Sequence, residues 1–214
     1  MIFSAQEAMK MAEHRYIWLA GGCFWGMEKL MRSVPGVTDA VSGYANGTGE
    51  ADANYETVCS GLTGFRETVR VEYDPDAVTL DALLFTYYGA IDPGAENRQG
   101  ADWGSQYQAG IYYDRQSDLE SIERVTGVIK ARAEKFCVEI KPLENFFPAE
   151  EYHQRYLDKH PGGYCHIPPY KLAAAASSAV DPGRYPLPPE EELRKKLSPA
   201  QYMVTQRAAT EPPF

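Results

Sequence analysis

The chain has 214 residues, 44% of them hydrophobic and 24% charged, ordinary globular values that allow one well-buried domain with an appendage or two small domains. A formal charge of -9, with the 21 lysines and arginines scattered rather than patched, argues against a nucleic-acid partner, which needs cations against phosphate. No apolar run approaches the ~18 residues of a membrane span, and the charged residues among the first fifteen do not fit a signal peptide, so a cytoplasmic home is expected. The cysteines at 23, 59, 137 and 165 have no short paired spacing, which makes no zinc site; in a reducing compartment they are catalytic or inert rather than structural disulfides.

In chain order, a short helix is expected within residues 1–14. The organising stretch is 16–35: an apolar run from Tyr16 to Ala20, two glycines, Cys23-Phe24-Trp25-Gly26, then Met27, Leu30, Met31 and Val34 at helical spacing before Pro35-Gly36. That is a strand, a tight turn and a helix, with Cys23 at the joint. Free N–H groups and the positive end of a helix favour a thiolate there, which makes Cys23 a candidate nucleophile; a buried, inert cysteine in a packed turn fits the local pattern equally well. A second strand is expected over 37–44 and a long polar surface loop over 50–63, carrying Tyr55 and Cys59.

Residues 65–73 alternate, so that Phe65, Val69, Val71 and Tyr73 share one face and Arg66, Thr68, Arg70 and Glu72 the other. Glu67 falls on the apolar face. A carboxyl there either turns to solvent at the strand end or keeps its proton at neutral pH, as a general acid must. Thr79 caps a helix through Leu80, Leu83, Leu84 and Tyr87. A glycine-rich loop over 91–105 contains Asp102 and Trp103, and 107–113 is the fourth strand. Ser117 with Glu120 predicts a capping box for a long amphipathic helix through Ile122, Val125, Ile129 and Phe136. A strand over 138–143 and a short helix over 148–157 follow. The order is two βαβ units, so the expected fold is α+β: a two-layer sandwich with a ferredoxin-like βαβ-βαβ core and a mixed sheet. Trp18 and Tyr44 are assigned to the core.

Taken together, Gly22-Cys23-Phe24-Trp25-Gly26, Tyr55, Gly64-Phe-Arg-Glu67, Gln99-Gly-Ala-Asp102, Gln106-Tyr107 and Gly163-Tyr-Cys165 resemble the methionine sulfoxide reductase A family over about residues 16–167. The resemblance implies that Cys23 attacks the sulfoxide sulfur, Glu67 protonates its oxygen, and Tyr55 and Tyr107 hold that oxygen, with Asp102 in the same polar cluster. It implies that Phe24 and Trp25, with Gly26, form the apolar site for the substrate methyl group. Cys165 is implied as the resolving cysteine, which converts a Cys23 sulfenic acid into a disulfide for thioredoxin to reduce. The substrate implied is the S epimer of methionine sulfoxide, free or in proteins; no cofactor or metal is called for, and a monomer is expected. Phe65 and Arg66 stand where many members carry His-Ala, and Trp103 replaces a smaller or polar residue. No role is implied for Cys59 or Cys137.

The expected organisation is an extension over 1–15, the catalytic domain over 16–167, a linker with a short helix over 168–196, and over 197–214 a segment similar to the opening of a methionine sulfoxide reductase B domain, as in a truncated fusion. Two rival functions use the same residues: a thiol peroxidase, which needs a cationic or hydroxyl-bearing partner at Cys23, and a peptide-binding or redox-sensing module, in which Glu67 is dispensable.

Overall fold

Alternating apolar residues produce a central sheet, and helices on one of its faces complete the core. The computed structural model describes residues 14–178 and 189–207. It divides into two units, Met1–Ala179 and Val180–Phe214. The helix expected within 1–14 and the end of the chain beyond 207 lie outside the described residues.

The first unit runs β1 (Arg15–Ala20), α1 (Phe24–Ser33), β2 (Val37–Ala45), α2 (Tyr55–Cys59), β3 (Arg66–Tyr73) and α3 (Leu80–Ala90). A small hairpin of β4 (Arg98–Gln99) and β5 (Asp102–Trp103) leads to β6 (Gly110–Tyr113), α4 (Leu119–Lys130), β7 (Glu139–Pro142), β8 (Phe146–Pro148), α5 (Tyr156–Lys159) and α6 (Pro169–Ser177). The sheet order is β7-β6-β1-β3-β2-β8. Among the described residues only β6 and β7 pair in parallel; β1 is antiparallel to β3 and β6, and β3 to β2, so the sheet is mixed and the fold α+β.

The parity expected for β3 is the one observed. Val69, Val71 and Tyr73 are buried with Ile17 and Leu19 of β1 under Met27, Leu30, Leu83 and Ile122 of the helices. Glu67 shares their face and is 2% exposed. The opposite face buries Trp18, Ala20, Ala45 and Tyr112 beneath Leu143 and Phe146. Phe65, 1% exposed, belongs to the main core edge-on to Phe147, and Arg66 turns away to pair with Glu139.

Several expectations are corrected. The loop over 50–63 holds a 3-10 turn, Glu50–Asp52, and the helix α2, whose start is capped by Asn54 accepting from the Thr57 N–H. Thr79 does cap α3, through the Ala82 N–H at 3.2 Å. Ser117 makes no capping box: its hydroxyl and the Asp118 carboxylate are both taken by Arg15, and a 3-10 turn leads into α4 instead. The fourth strand begins only at Gly110, because Gln108 turns its amide into the preceding loop, accepting from the Asn97 N–H at 2.7 Å and donating to the Cys137 carbonyl at 2.7 Å. The helix expected over 148–157 is absent. Pro148 ends β8, the Gln154 amide donates to the Ser42 and Ala149 carbonyls, and Arg155 takes a left-handed φ of 52°, so a helix forms only at Tyr156. The expected linker from 168 also begins with structure: α6 packs on the core through Ala175, 2% exposed, and Leu172.

The second unit contains α7 (Glu190–Lys196) and α8 (Pro199–Arg207), with Tyr202 under the Arg194 guanidinium. Among the described residues no helix is long and apolar enough to cross a membrane.

Candidate active site

Cys23 is the N-cap of α1, and the turn that delivers it needs glycine twice. Gly22 has φ +82°, a left-handed conformation, and a Cβ there would stand 2.5 Å from the Gln99 Cβ. At Gly26 the backbone is ordinary, but a Cβ would fall 3.2 Å from the Cys165 sulfur and 3.1 Å from the His166 ring. Gly26 therefore allows close approach of the segment 165–166.

The Cys23 thiol is 8% exposed. Burial pushes it far up from the ordinary thiol range and the neighbouring Glu67 carboxyl adds to this, whereas the Trp25 and Gly26 N–H groups pull it down. The upward causes are larger, so the sulfur is a thiol, not the thiolate that the helix N-terminus alone suggests. Two backbone dipoles do not compensate for the water that burial removes.

Glu67 lies directly beside this turn. Its Oε2 accepts the Phe24 N–H at 3.0 Å, and in the sheet it faces Tyr44 across the β2–β3 ladder. Burial raises the carboxyl to about 8, against the single backbone donor that favours its anion. At neutral pH it is a carboxylic acid.

The other expected residues converge here. Burial, then the fields of Glu67 and Cys23, raise the Tyr107 hydroxyl far above its ordinary range, with Tyr55 and Asp102 adding to them. Tyr55 is raised by burial and Cys59, and again by Glu67 and Cys23. Both phenols are therefore neutral donors next to the acid and the thiol. Tyr107 sits on a 3-10 turn, Ser105–Tyr107, and Asp102 on the hairpin strand β5. That loop is held by Gln99, 2% exposed, whose amide accepts from the Asp92 N–H at 2.8 Å and donates to its carbonyl at 2.9 Å. Asp102 accepts the Tyr164 hydroxyl at 3.0 Å, which ties the segment carrying Cys165 to the site. Cys59, at the exposed end of α2, lies close enough to the Tyr55 hydroxyl to raise it.

The aromatic pair behaves unequally. Phe24 is 1% exposed, wedged between Tyr44 at 5.8 Å and His153 at 5.0 Å. Trp25 is half-buried, stacked on Tyr156 with centroids 3.7 Å apart, and its indole N–H donates to His153 Nδ1 at 3.0 Å. Trp103 is 67% exposed under Arg98, on the rim. The cysteines are all free, and Cys165 donates its thiol proton to the Ile167 carbonyl at 3.2 Å.

Sequence reasoning missed a layer behind the site. Glu150 accepts the Tyr55 N–H at 2.9 Å and the Tyr44 hydroxyl at 2.9 Å, which fixes α2 against β2. Glu28, 2% exposed, accepts the Arg155 N–H with both oxygens and so holds the left-handed turn before Tyr156. The available signal was the density of polar and aromatic residues in Glu150-Glu-Tyr-His-Gln-Arg-Tyr156, which an ordinary surface helix does not require.

A buried thiol beside a protonated carboxyl and two neutral phenols is an arrangement that can deliver protons to an oxygen bound next to sulfur. The family model for peptide methionine sulfoxide reductase matches residues 15–181, and the chain belongs to that family. It is accordingly an oxidoreductase acting on methionine sulfoxide. Among solved structures it is similar to Mxr1 from Saccharomyces cerevisiae in reduced form, with 37% identity, a TM-score of 0.69, and coverage of 73% of this chain and 91% of that one. It is also similar to methionine sulfoxide reductase A of Corynebacterium diphtheriae, at 32% identity and a TM-score of 0.67, covering 74% of this chain and 85% of that one.

Proposed function

We propose that this chain reduces the S epimer of methionine sulfoxide, free or in proteins, and is reset through a Cys23–Cys165 disulfide by thioredoxin. The observation that carries the reading is the Glu67 carboxyl, 2% exposed, protonated at neutral pH and bonded to the amide that follows Cys23. A sulfoxide oxygen is a poor leaving group until it is protonated. Glu67 gives it a proton while the Cys23 sulfur attacks the sulfoxide sulfur, and the thiol proton returns to Glu67. Rearrangement passes the oxygen to Cys23 as a sulfenic acid and releases methionine, so that the sulfoxide is reduced by two electrons and the cysteine oxidised by two. Tyr55 and Tyr107 donate to the oxygen as its charge develops. Trp25 offers the apolar surface for the substrate methyl.

Attack by the Cys165 sulfur on the sulfenic acid forms the disulfide as hydroxide departs, and the proton given up by Cys165 converts that hydroxide to water. Cys165 borders a groove of about 520 Å³ formed with Lys29, Leu157, Pro161 and Leu172, which gives an external dithiol a route to it.

Turnover of a chromophoric methionine-S-sulfoxide peptide with dithiothreitol tests the reading. Glu67→Gln keeps the acceptor for the Phe24 N–H but cannot donate to the oxygen as an acid, and lowers kcat/KM by about 10² or more. Full activity in that variant refutes the general-acid role, and faster consumption of hydroperoxide than of sulfoxide favours the peroxidase. Cys165→Ser releases one methionine per chain and then stops with thioredoxin as sole reductant; sustained thioredoxin-linked turnover contradicts the resolving role.

A further inference from the structure

The residue after Cys165 is a histidine that neither the chemistry above nor the motif reading uses. The His166 ring lies against the Cys23 turn, with Nε2 2.9 Å from the Gly21 carbonyl oxygen. A carbonyl only accepts, so Nε2 carries the ring proton and, in the neutral ring, Nδ1 holds the free lone pair. That Nδ1 is buried and, among the described residues, has no hydrogen-bond partner. It is 3.1 Å from the point above Gly26 where a Cβ would stand, and the Cys165 sulfur is 3.2 Å from the same point. The two atoms are thus at most about twice that distance apart, a span that one bridging water can cross. The Gly26 N–H beneath them is one of the two that act on the Cys23 sulfur.

Cys165 needs such a neighbour. Its thiol is half-buried and raised from its ordinary value by burial, against the backbone contact with Ile167 that lowers it, and a thiol is a far weaker nucleophile than a thiolate. Burial also lowers His166 below its ordinary range, which keeps Nδ1 unprotonated at neutral pH; Asp102 from β5 raises it, the Gly21 carbonyl raises it, and Lys171 from α6 lowers it.

We propose that His166 is the base of the resolving step: its free Nδ1 takes the proton of Cys165 so that this sulfur attacks the Cys23 sulfenic acid as a thiolate. The S–S bond forms as the Cys23 S–O bond breaks. The departing hydroxide takes a proton from the imidazolium and leaves as water, so His166 is regenerated. Cys165 is oxidised by one electron, and Cys23, coming from the sulfenic level, is reduced by one. The assignment rests on the sulfenic-acid reading above.

The test compares wild type with His166→Asn, whose amide N–H can still reach the Gly21 carbonyl but which has no basic lone pair. Each is mixed with methionine-S-sulfoxide without reductant, and rapid-quench samples are read for methionine, for dimedone-trapped sulfenic acid and for the Cys23–Cys165 disulfide. In His166→Asn, disulfide formation at pH 7 falls ten-fold or more relative to methionine release, and sulfenic acid accumulates. The deficit shrinks as pH rises toward the ionisation of Cys165 itself, and added imidazole restores the rate in His166→Ala. The proposal alone is overturned if His166→Asn keeps the wild-type ratio of the two rates at every pH. Absence of methionine release from the wild type overturns the underlying reading with it.

Discussion

Two carboxyl side chains of this protein are kept from water and so hold their protons unusually long. Glu67 holds its proton to about 8, and Glu28, raised first by burial, to about 7. In the unfolded chain both ionise near the ordinary glutamate value, so the folded state carries more protons between that value and the raised one. Their contribution to stability is complete below about pH 4.5 and is lost as pH rises through 7 to 8. Each contributes up to about 1.4 kcal/mol of lost stability per pH unit within its window. Urea unfolding across pH 5 to 9 is therefore expected to show stability declining toward alkaline pH, with a shallower decline in Glu67→Gln; an unchanged slope in that variant contradicts the raised carboxyl. Cys23 illustrates the opposite lesson. The helix N-terminus was legible in its sequence position, but the burial that outweighs it was not, because that burial, with the Glu67 and Asp102 carboxyls that add to it, comes from elsewhere in the chain.

At the scale of elements, the site is assembled where the end of β1 meets α1, with β3 alongside and two loops closing over it. The strand parity of 65–73 was readable because a two-residue period survives any neighbour. The paths of 50–63 and 148–157 were not readable. Their backbones are held by side chains far away in sequence: Glu150 on the Tyr55 N–H, Gln154 on Ser42, and Glu28 on Arg155. Local propensity has no access to such partners. The packing of 165–166 on α1 makes a specific demand. Gly26→Ala forces the Cys165 sulfur and the His166 ring to shift, costing about 1–3 kcal/mol of stability. It is expected to slow thioredoxin-linked turnover more than the first release of methionine. An equal loss in both steps would place the effect on the Cys23 turn instead.

At the scale of the molecule, the sheet order β7-β6-β1-β3-β2-β8 places β1 and β3 at the centre, so Cys23, just past β1, and Glu67, on β3, sit at the middle of the sheet. The motifs in Gly22–Gly26 and at Glu67 declared the family, because they are read from residue identity and order alone, whatever packs behind them. The edge strand β8 and the docking of α6 went unread: β8 is three residues long, and the run of alanines in α6 buries little area per residue while allowing close approach. All these contacts keep one carboxyl dry beside one sulfur. Infrared difference spectroscopy of wild type against Glu67→Gln, titrated from pH 5 to 10, reads that carboxyl directly through its C=O stretch. The account predicts a protonated band that persists at pH 7 and fades with a midpoint of about 8; a carboxylate already formed at pH 6 would contradict it.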